Sequence, residues 1–302
     1  MALVNDLGLT PMYSGKVRDL FEVDDRHLLM VASDRLSAFD VVMAETIPEK
    51  GRVLTGLTNF WIHDFGDAVP SSLVSCDPNV IDASVPGFLG KSEWHGRTML
   101  VRKADMLPLE CIVRGRLAGQ AHDEYVARGT VHEMIVPPGL QLTDPFPEPM
   151  FTPSTKAASG HDVNISVERA ALLIGAERLH HAQTLCLDLF TRAAAALATK
   201  GLILADTKFE LGYVDGELVL CDEVITPDSS RIWPAAEVHS GEIPPSFDKQ
   251  PFRDWLNAQA WDRTPPPPKV PDDVVAATSA RYVDAYERVT GHSIADWYGA
   301  SS

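Results

Sequence analysis

The sequence predicts an α+β fold of two lobes. Three observations predict it. Strand-like runs pair into hairpins near residues 15 to 33 and 205 to 222, apolar residues recur at helical spacing in several stretches, and 302 residues can bury a sizeable core. Residues 1–113 read as a mainly antiparallel sheet lobe, and residues 114–302 as a larger α/β lobe ending in a helical extension.

In SGKVRDLFEVDDRHLLMVASD, strands are expected near 15 to 23 and 27 to 33, joined around Asp24-Asp25. Gly15 allows close backbone approach to a ligand, and Lys16 and Arg18 project from one strand face. That face is either an exposed basic surface or the seat of a nucleotide triphosphate. Neither G-x-x-x-x-G-K-[ST] nor G-x-G-x-x-G occurs. Leu54, Leu57, Trp61 and Phe65 then mark a helix. Leu109 to Val113 suits a buried strand and leads to Arg114 and Arg116, whose planar guanidinium groups suit phosphate or carboxylate. One of the two is expected only to solvate a surface. FTPSTKAASGHDVNIS is a long polar loop carrying Lys156, His161, Asp162 and Asn164. His161-Asp162 offers either a metal pair or a turn-stabilising pair. Ser166 is a candidate N-cap, and Leu179, Ala182, Cys186, Leu189, Ala193 and Leu197 form a core stripe on a helix ended by Gly201. Pro265 to Pro268 form a stiff stretch, after which Asp272 and Asp273 open a helix that docks through Val275, Tyr282, Tyr286 and Val289.

The segment ADTKFELGYVDGELVLCDEV holds the densest charge pattern. On a strand, Phe209, Leu211 and Tyr213 face one side while Lys208 and Glu210 share the other. A two-residue Asp215-Gly216 loop would set Phe209 opposite Asp222 and bury a lone carboxylate at a cost. A three-residue Val214-Asp215-Gly216 loop with a bulge at Gly216 would pair Lys208 with Asp222, placing Lys208, Glu210 and Asp222 on one face. The second register is expected. Such a cluster is either a surface ion network or a magnesium site, since Mg²⁺ favours one or two carboxylates plus substrate phosphates.

Acidic residues outnumber basic ones by 42 to 26, a formal charge of −16. That balance disfavours nucleic acid as a partner and concentrates the functional cations in a cleft for anionic substrates. No signal segment and no long apolar run occurs, so a soluble cytoplasmic protein is expected, with no membrane partner. Cys76, Cys111, Cys186 and Cys221 lack metal-ligand spacing and read as reduced packing residues.

Together, GKVRD, SDRLSAFD, IPEKGRVLTGLTNFW, ECIVRGRLAG, FTPSTKA, HDVNIS, LADTKFELG and DEVITPDSSRIW resemble, in order from about residue 12 to residue 233, the phosphoribosylaminoimidazole-succinocarboxamide synthase (SAICAR synthetase) family. The resemblance implies the family's two-lobed fold with an ATP cleft between the lobes. It also implies a ligase of purine biosynthesis that uses ATP and Mg²⁺ to join L-aspartate to the carboxylate of carboxyaminoimidazole ribonucleotide (CAIR), as a monomer or homodimer. By matching motif it assigns Gly15, Lys16 and Arg18, the backbone of Glu110, Cys111 and Ile112, and Lys208 to ATP. Glu210 and Asp222 are assigned to the metal, Arg114, Ser230 and Arg231 to the ribonucleotide phosphate, and Asp206 to the imidazole. Ser37, Asp40, Lys156, Asp162 and Asn164 are expected on substrate-side loops. Gln120 stands where many relatives carry a serine, so its phosphate contact rests on a carboxamide. A small-molecule kinase and a non-catalytic nucleotide-binding regulator are the rival classes, both compatible with a lysine-bearing strand and a metal-binding aspartate.

Overall fold

A computed structural model of the chain describes residues 7–39, 41–66, 69–156, 163–247 and 250–298. It begins with a ribbon of three antiparallel strands, β1 (Thr10–Ser14), β2 (Arg18–Glu22) and β3 (His27–Ala32). The hairpin expected around Asp24-Asp25 forms, closed by the Asp24 carboxylate accepting from the backbone amides of Arg26 and His27. A short hairpin of β4 (Arg35–Ala38) and β5 (Val41–Thr46) follows, then helix α1 (Lys50–Phe65). Strand β6 (Leu73–Ser75), helix α2 (Pro78–Ser84) and strand β7 (Thr98–Arg102) complete the first sheet, in the order β1-β2-β3-β7-β6. Phe21, Leu29, Val31 and Leu100 on its inner face pack with Ile81, Val85, Phe88 and Trp94 into a local core.

After the short β8 (Asp105–Met106), β9 (Leu109–Arg116) enters a second sheet. The boundary expected at residue 113 falls inside this continuous strand, whose pairing with the second sheet runs on both sides of it. Helix α3 (Gln120–Arg128), the ribbon of β10 (Thr130–Val131) and β11 (Met134–Ile135), β12 (Pro145–Phe151) and β13 (Ser154–Thr155) come next. Ser166 caps α4 (Val167–Ile174) as expected, its hydroxyl accepting from the Arg169 amide. The helix does not continue to Gly201. Gly175, at φ 90, breaks it, and the expected core stripe lies on a separate helix, α5 (Ala176–Ala198). The apolar stripe continues across the break, so periodicity alone does not reveal it.

Strand β14 (Leu202–Val214), thirteen residues long, is the spine of the second sheet. Its first half pairs with β9 and β16 (Ser230–Pro234), its second half with β15 (Glu217–Cys221) and β8. Helix α6 (Gln250–Asn257) and α7 (Asp272–Thr290) close the chain. Tyr282, Tyr286 and Val289 of α7 are buried, with Val275 packed at the edge of the same core that holds Leu54, Leu57, Trp61 and Phe65 of α1 and the α5 stripe. Each such leucine or aromatic contributes about 1.5–3 kcal/mol of burial, so the helices fix the sheet from behind. Among the described residues no helix is long and apolar enough to cross a membrane.

Candidate active site

Asp206, Lys208 and Glu210 alternate along β14, so they share one face, with ~13 Å from first to last at ~3.3 Å per residue. Neighbouring strands bring partners to each position. Arg114 of β9 and Arg231 of β16 both stand in register with Asp206, and Ser230 stands opposite Thr207.

The turn after β14 corrects the expected register. Glu210 pairs with Cys221, Leu211 with Leu220 and Val214 with Glu217, which leaves a two-residue Asp215-Gly216 loop with no bulge. Both loop residues have positive φ, 52° and 84°, as a type I′ turn requires. No lone carboxylate is buried by this register, because the ladder ends at Cys221. Asp222 leaves the strand in a left-handed conformation, φ 57, and its carboxylate enters the cleft instead of the core. Lys208, Glu210 and Asp222 do converge, by a strand end rather than by strand register.

They converge on a cavity of about 470 Å³ between the N-terminal hairpin and β14. Gly15, Lys16, Val17, Arg18 and Leu20 line one wall, Lys156, Lys208, Glu210, Asp222 and Glu223 the other, and Val101, Arg102, Ala104 and Met106 the back. Arg18 ion-pairs with both Asp222 and Glu223, and Lys156 with Glu210. The Lys208 ammonium sits 2.6 Å from Glu110 Oε1 and 3.3 Å from Glu210 Oε1. Burial works against that ammonium, yet Glu210 and Glu110 outweigh it and raise its pKa above the ordinary lysine value. Burial likewise opposes the Glu210 carboxylate, but Lys208, Lys156 and Arg18 hold its pKa below the usual range. Both groups stay charged throughout the neutral range. Cys221, also lining the cavity, has its thiol pushed up to about 11 by burial, so it packs and does not attack. Arg35, from the SDRLSAFD motif, braces the hairpin by donating to the Gly15 and Lys16 carbonyls at 3.0 and 3.1 Å and pairing with Asp19 at 2.9 Å.

The residues expected to edge adenine are elsewhere. None of the three lines the cavity: in β9, Ile112 and Cys111 pair with Lys208 and Phe209 of β14, and Glu110 pairs with Ser154 of β13. The cavity wall a planar base could meet is instead Arg102 to Met106, where the chain passes between sheets. Only the Glu110 side chain reaches the site, as a partner of Lys208.

At the far end of the β14 face, Arg114 and Arg231 both donate to Asp206 Oδ2, at 2.9 and 2.5 Å. Arg114 and Asp206 are each 4 % exposed, and Arg114 Nε donates to Thr152 Oγ1 at 3.1 Å. Two guanidinium groups on one carboxylate leave an excess positive charge beside Ser230 and the first turn of α3, a ready anion seat. Burial lowers the pKa of Arg114, and Asp206 opposes that shift. Gly119, φ 54, approaches so closely that a Cβ would collide with the Arg231 guanidinium, and Gln120 is the exposed first residue of α3 beside it. Arg116 instead donates to the Thr143 carbonyl at 2.9 Å, the structural role expected of one of the two arginines.

Two expected substrate-side residues are not brought here. Ser37 pairs with Val42 in the β4–β5 hairpin, and Asn164 bridges Ser154 beside a separate cavity of about 350 Å³ that His132 and Glu124 also line. Asp40, His161 and Asp162 lie outside the described residues. Among the described residues no three His, Cys, Asp or Glu side chains form a self-sufficient metal cage. Hard carboxylate oxygens from Glu210 and Asp222 on a cavity wall nonetheless fit Mg²⁺, which takes one or two carboxylates and completes its shell with phosphates and water. Glu223, adjacent to Asp222, joins them as a third cavity carboxylate, a role its place in the DEV sequence could have signalled.

Comparison with known proteins bears on the whole chain. The family model described as SAICAR synthetase matches residues 11–268. A phosphoribosylaminoimidazole-succinocarboxamide synthase from Saccharopolyspora erythraea is 50 % identical over 291 residues, covering 94 % of this chain and 95 % of the relative. The solved SAICAR synthase from Saccharomyces cerevisiae in complex with SAICAR superposes with a TM-score of 0.89 at 42 % identity, over 97 % of this chain and 98 % of that one. A SAICAR synthetase in complex with ADP superposes with a TM-score of 0.67 at 25 % identity, over 93 % and 98 %. With the match spanning both sheets and the cleft, the chain belongs to the SAICAR synthetase family.

Proposed function

We propose that the β14 face is where this chain joins L-aspartate to the carboxylate of CAIR, consuming ATP and releasing SAICAR, ADP and phosphate in purine biosynthesis. The observation that carries the reading is the single face of Asp206, Lys208 and Glu210, which runs from the paired arginines to the hairpin cavity. Its span is comparable to the length of a mononucleotide, so a ribonucleotide phosphate on Arg114, Ser230 and Arg231 sets the base carboxylate toward the cavity. ATP lies in that cavity, its base against Arg102 to Met106 and its phosphates toward Lys16, Arg18 and Lys208.

A free carboxylate is a poor acyl donor, so the γ-phosphoryl group passes to a CAIR carboxylate oxygen as the β–γ bridging bond breaks, giving ADP and an acyl phosphate. The aspartate amine then attacks the acyl carbon, the carbon–oxygen bond to phosphate breaks, and the amine loses a proton. Phosphate departs with one oxygen of the original carboxylate. Lys208, Lys156 and Arg18 neutralise the phosphoryl oxygens and fix their positions, which is the larger part of catalysis in phosphoryl transfer. Mg²⁺, held by Glu210 and Asp222, supplies further neutralisation when bound. Arg18, which rests on Asp222 and Glu223 here, exchanges those partners for nucleotide phosphate. We place the passage between lobes at Lys103 to Pro108, and the protein in the cytoplasm, as monomer or homodimer, with small molecules as its partners.

CAIR labelled with ¹⁸O in its carboxylate tests the path. One label is expected in the released phosphate for each turnover, and phosphate free of label would refute the acyl phosphate.

A further inference from the structure

The turn that links Glu223 to Arg231 carries a carboxylate that does not face the cleft. Asp228 Oδ2 lies 2.8 Å from Lys50 Nζ, on the first residue of α1, and its Oδ1 accepts from the Tyr282 hydroxyl of α7 at 2.6 Å. Lys50 is 0 % exposed and Tyr282 1 %, with the ammonium 5.6 Å from the centre of the tyrosine ring. The turn that carries Asp228 is bonded to residues of the site. Thr226 donates to Glu223, the Ser229 and Ser230 amides donate to the Thr226 carbonyl at 3.1 and 2.8 Å, and the Lys208 amide donates to the Ser229 carbonyl at 2.9 Å. Ser230 Oγ shares a hydrogen bond of 2.7 Å with Thr207, and Arg231 follows.

A buried carboxylate needs its partners, and a turn anchored at its tip holds both of its ends. We propose that Tyr282 is a positioning residue for the ribonucleotide end of the site, acting through Asp228 to set Ser230 and Arg231. The helix that carries it, Asp272–Thr290, lies beyond residues 11–268, the stretch that matches the family model, so the site draws on a segment outside that stretch. The inference rests on reading Arg114, Ser230 and Arg231 as the grip on the ribonucleotide phosphate.

Tyr282→Phe keeps the ring and removes the donor. A displaced grip weakens binding of the group it holds, so the KM for CAIR is expected to rise about tenfold while the KM for ATP changes less than about twofold. Val289→Ala, a cavity in the same helix far from Asp228, is the control for mere loss of helix packing and should leave both KM values in place. If Tyr282→Phe does not fold, Tyr282→His, whose ring can still donate, carries the test and must show the same selective rise in smaller measure. Arg231→Gln separates the two claims. A raised CAIR KM in Arg231→Gln with wild-type values in the Tyr282 variants overturns the role of Tyr282 alone, and unchanged values in all of them overturn it together with the phosphate reading.

Discussion

Replacing Lys208 by methionine removes an ammonium held 2.6 Å from Glu110 and 3.3 Å from Glu210. At an effective dielectric constant of about 20, unit charges at those separations attract by about 6 and 5 kcal/mol. Desolvation offsets most of this, and removing one partner of a largely buried pair costs roughly 3–5 kcal/mol. Lys156 remains on Glu210, which brings the expected loss to about 3 kcal/mol. For a chain of this size that lowers Tm by roughly 6 °C. Catalysis should suffer more, because a positioned cation on transferring phosphoryl oxygens is worth about 10²–10³ in kcat. Calorimetry and steady-state release of ADP, measured on the same folded preparation, separate the two. A cooperative fold with kcat within fivefold of wild type would refute the assignment of Lys208 to phosphoryl transfer and leave it as an ion-pair residue.

Asp222→Asn, outside the ladder and partly exposed, should cost little stability while turnover collapses by about 10² or more and the magnesium dependence shifts to higher concentration; unchanged turnover at saturating magnesium would count against the metal role. Gly119→Ala forces a Cβ against Arg231 and strains a residue at φ 54, so the CAIR KM should rise with the ATP KM unmoved in steady-state assays. The shifted charges also set a pH dependence. Glu210 has a folded pKa below its ordinary 4.5, so its stabilisation is full above that value and is lost as pH falls through the lower folded pKa. Lys208 has a folded pKa above its ordinary 10.5, so its stabilisation is full below that value and is lost as pH rises through the folded one. Acid and base unfolding midpoints should therefore flatten in Glu210→Gln and Lys208→Met respectively, with no limb from either group between pH 6 and 9.

Local patterns made much of this fold legible. The hairpin at Asp24, the α1 and α5 stripes, the Ser166 cap and the docking face of α7 each follow from spacing that a strand or helix imposes on apolar residues. The register of β14 with β15 did not follow, because alternation specifies register only where one face of a strand is wet and the other dry. β14 is central and mostly buried on both faces, so alternation carried no information about which side the returning strand must show. Asp222 reaches the cleft through a left-handed backbone at a strand end, a choice that no pattern of residue types announces. The stretch expected to edge adenine does not line the cavity. Glu110 to Ile112 form a strand paired within the second sheet, and the cavity is lined instead by Arg102 to Met106. Arg114, Arg231 and Asp206, by contrast, were placed by motif and meet across three strands that no local rule connects.

On the proposed function, one β14 face couples phosphoryl transfer to amide formation. ADP release by the intact chain, followed with ATP, CAIR and L-aspartate each omitted in turn, tests it most directly. Sustained ADP release only when all three are present, with one SAICAR formed per ADP, is the predicted result. Sustained release without aspartate, or with another hydroxyl acceptor and no amide formed, would contradict it.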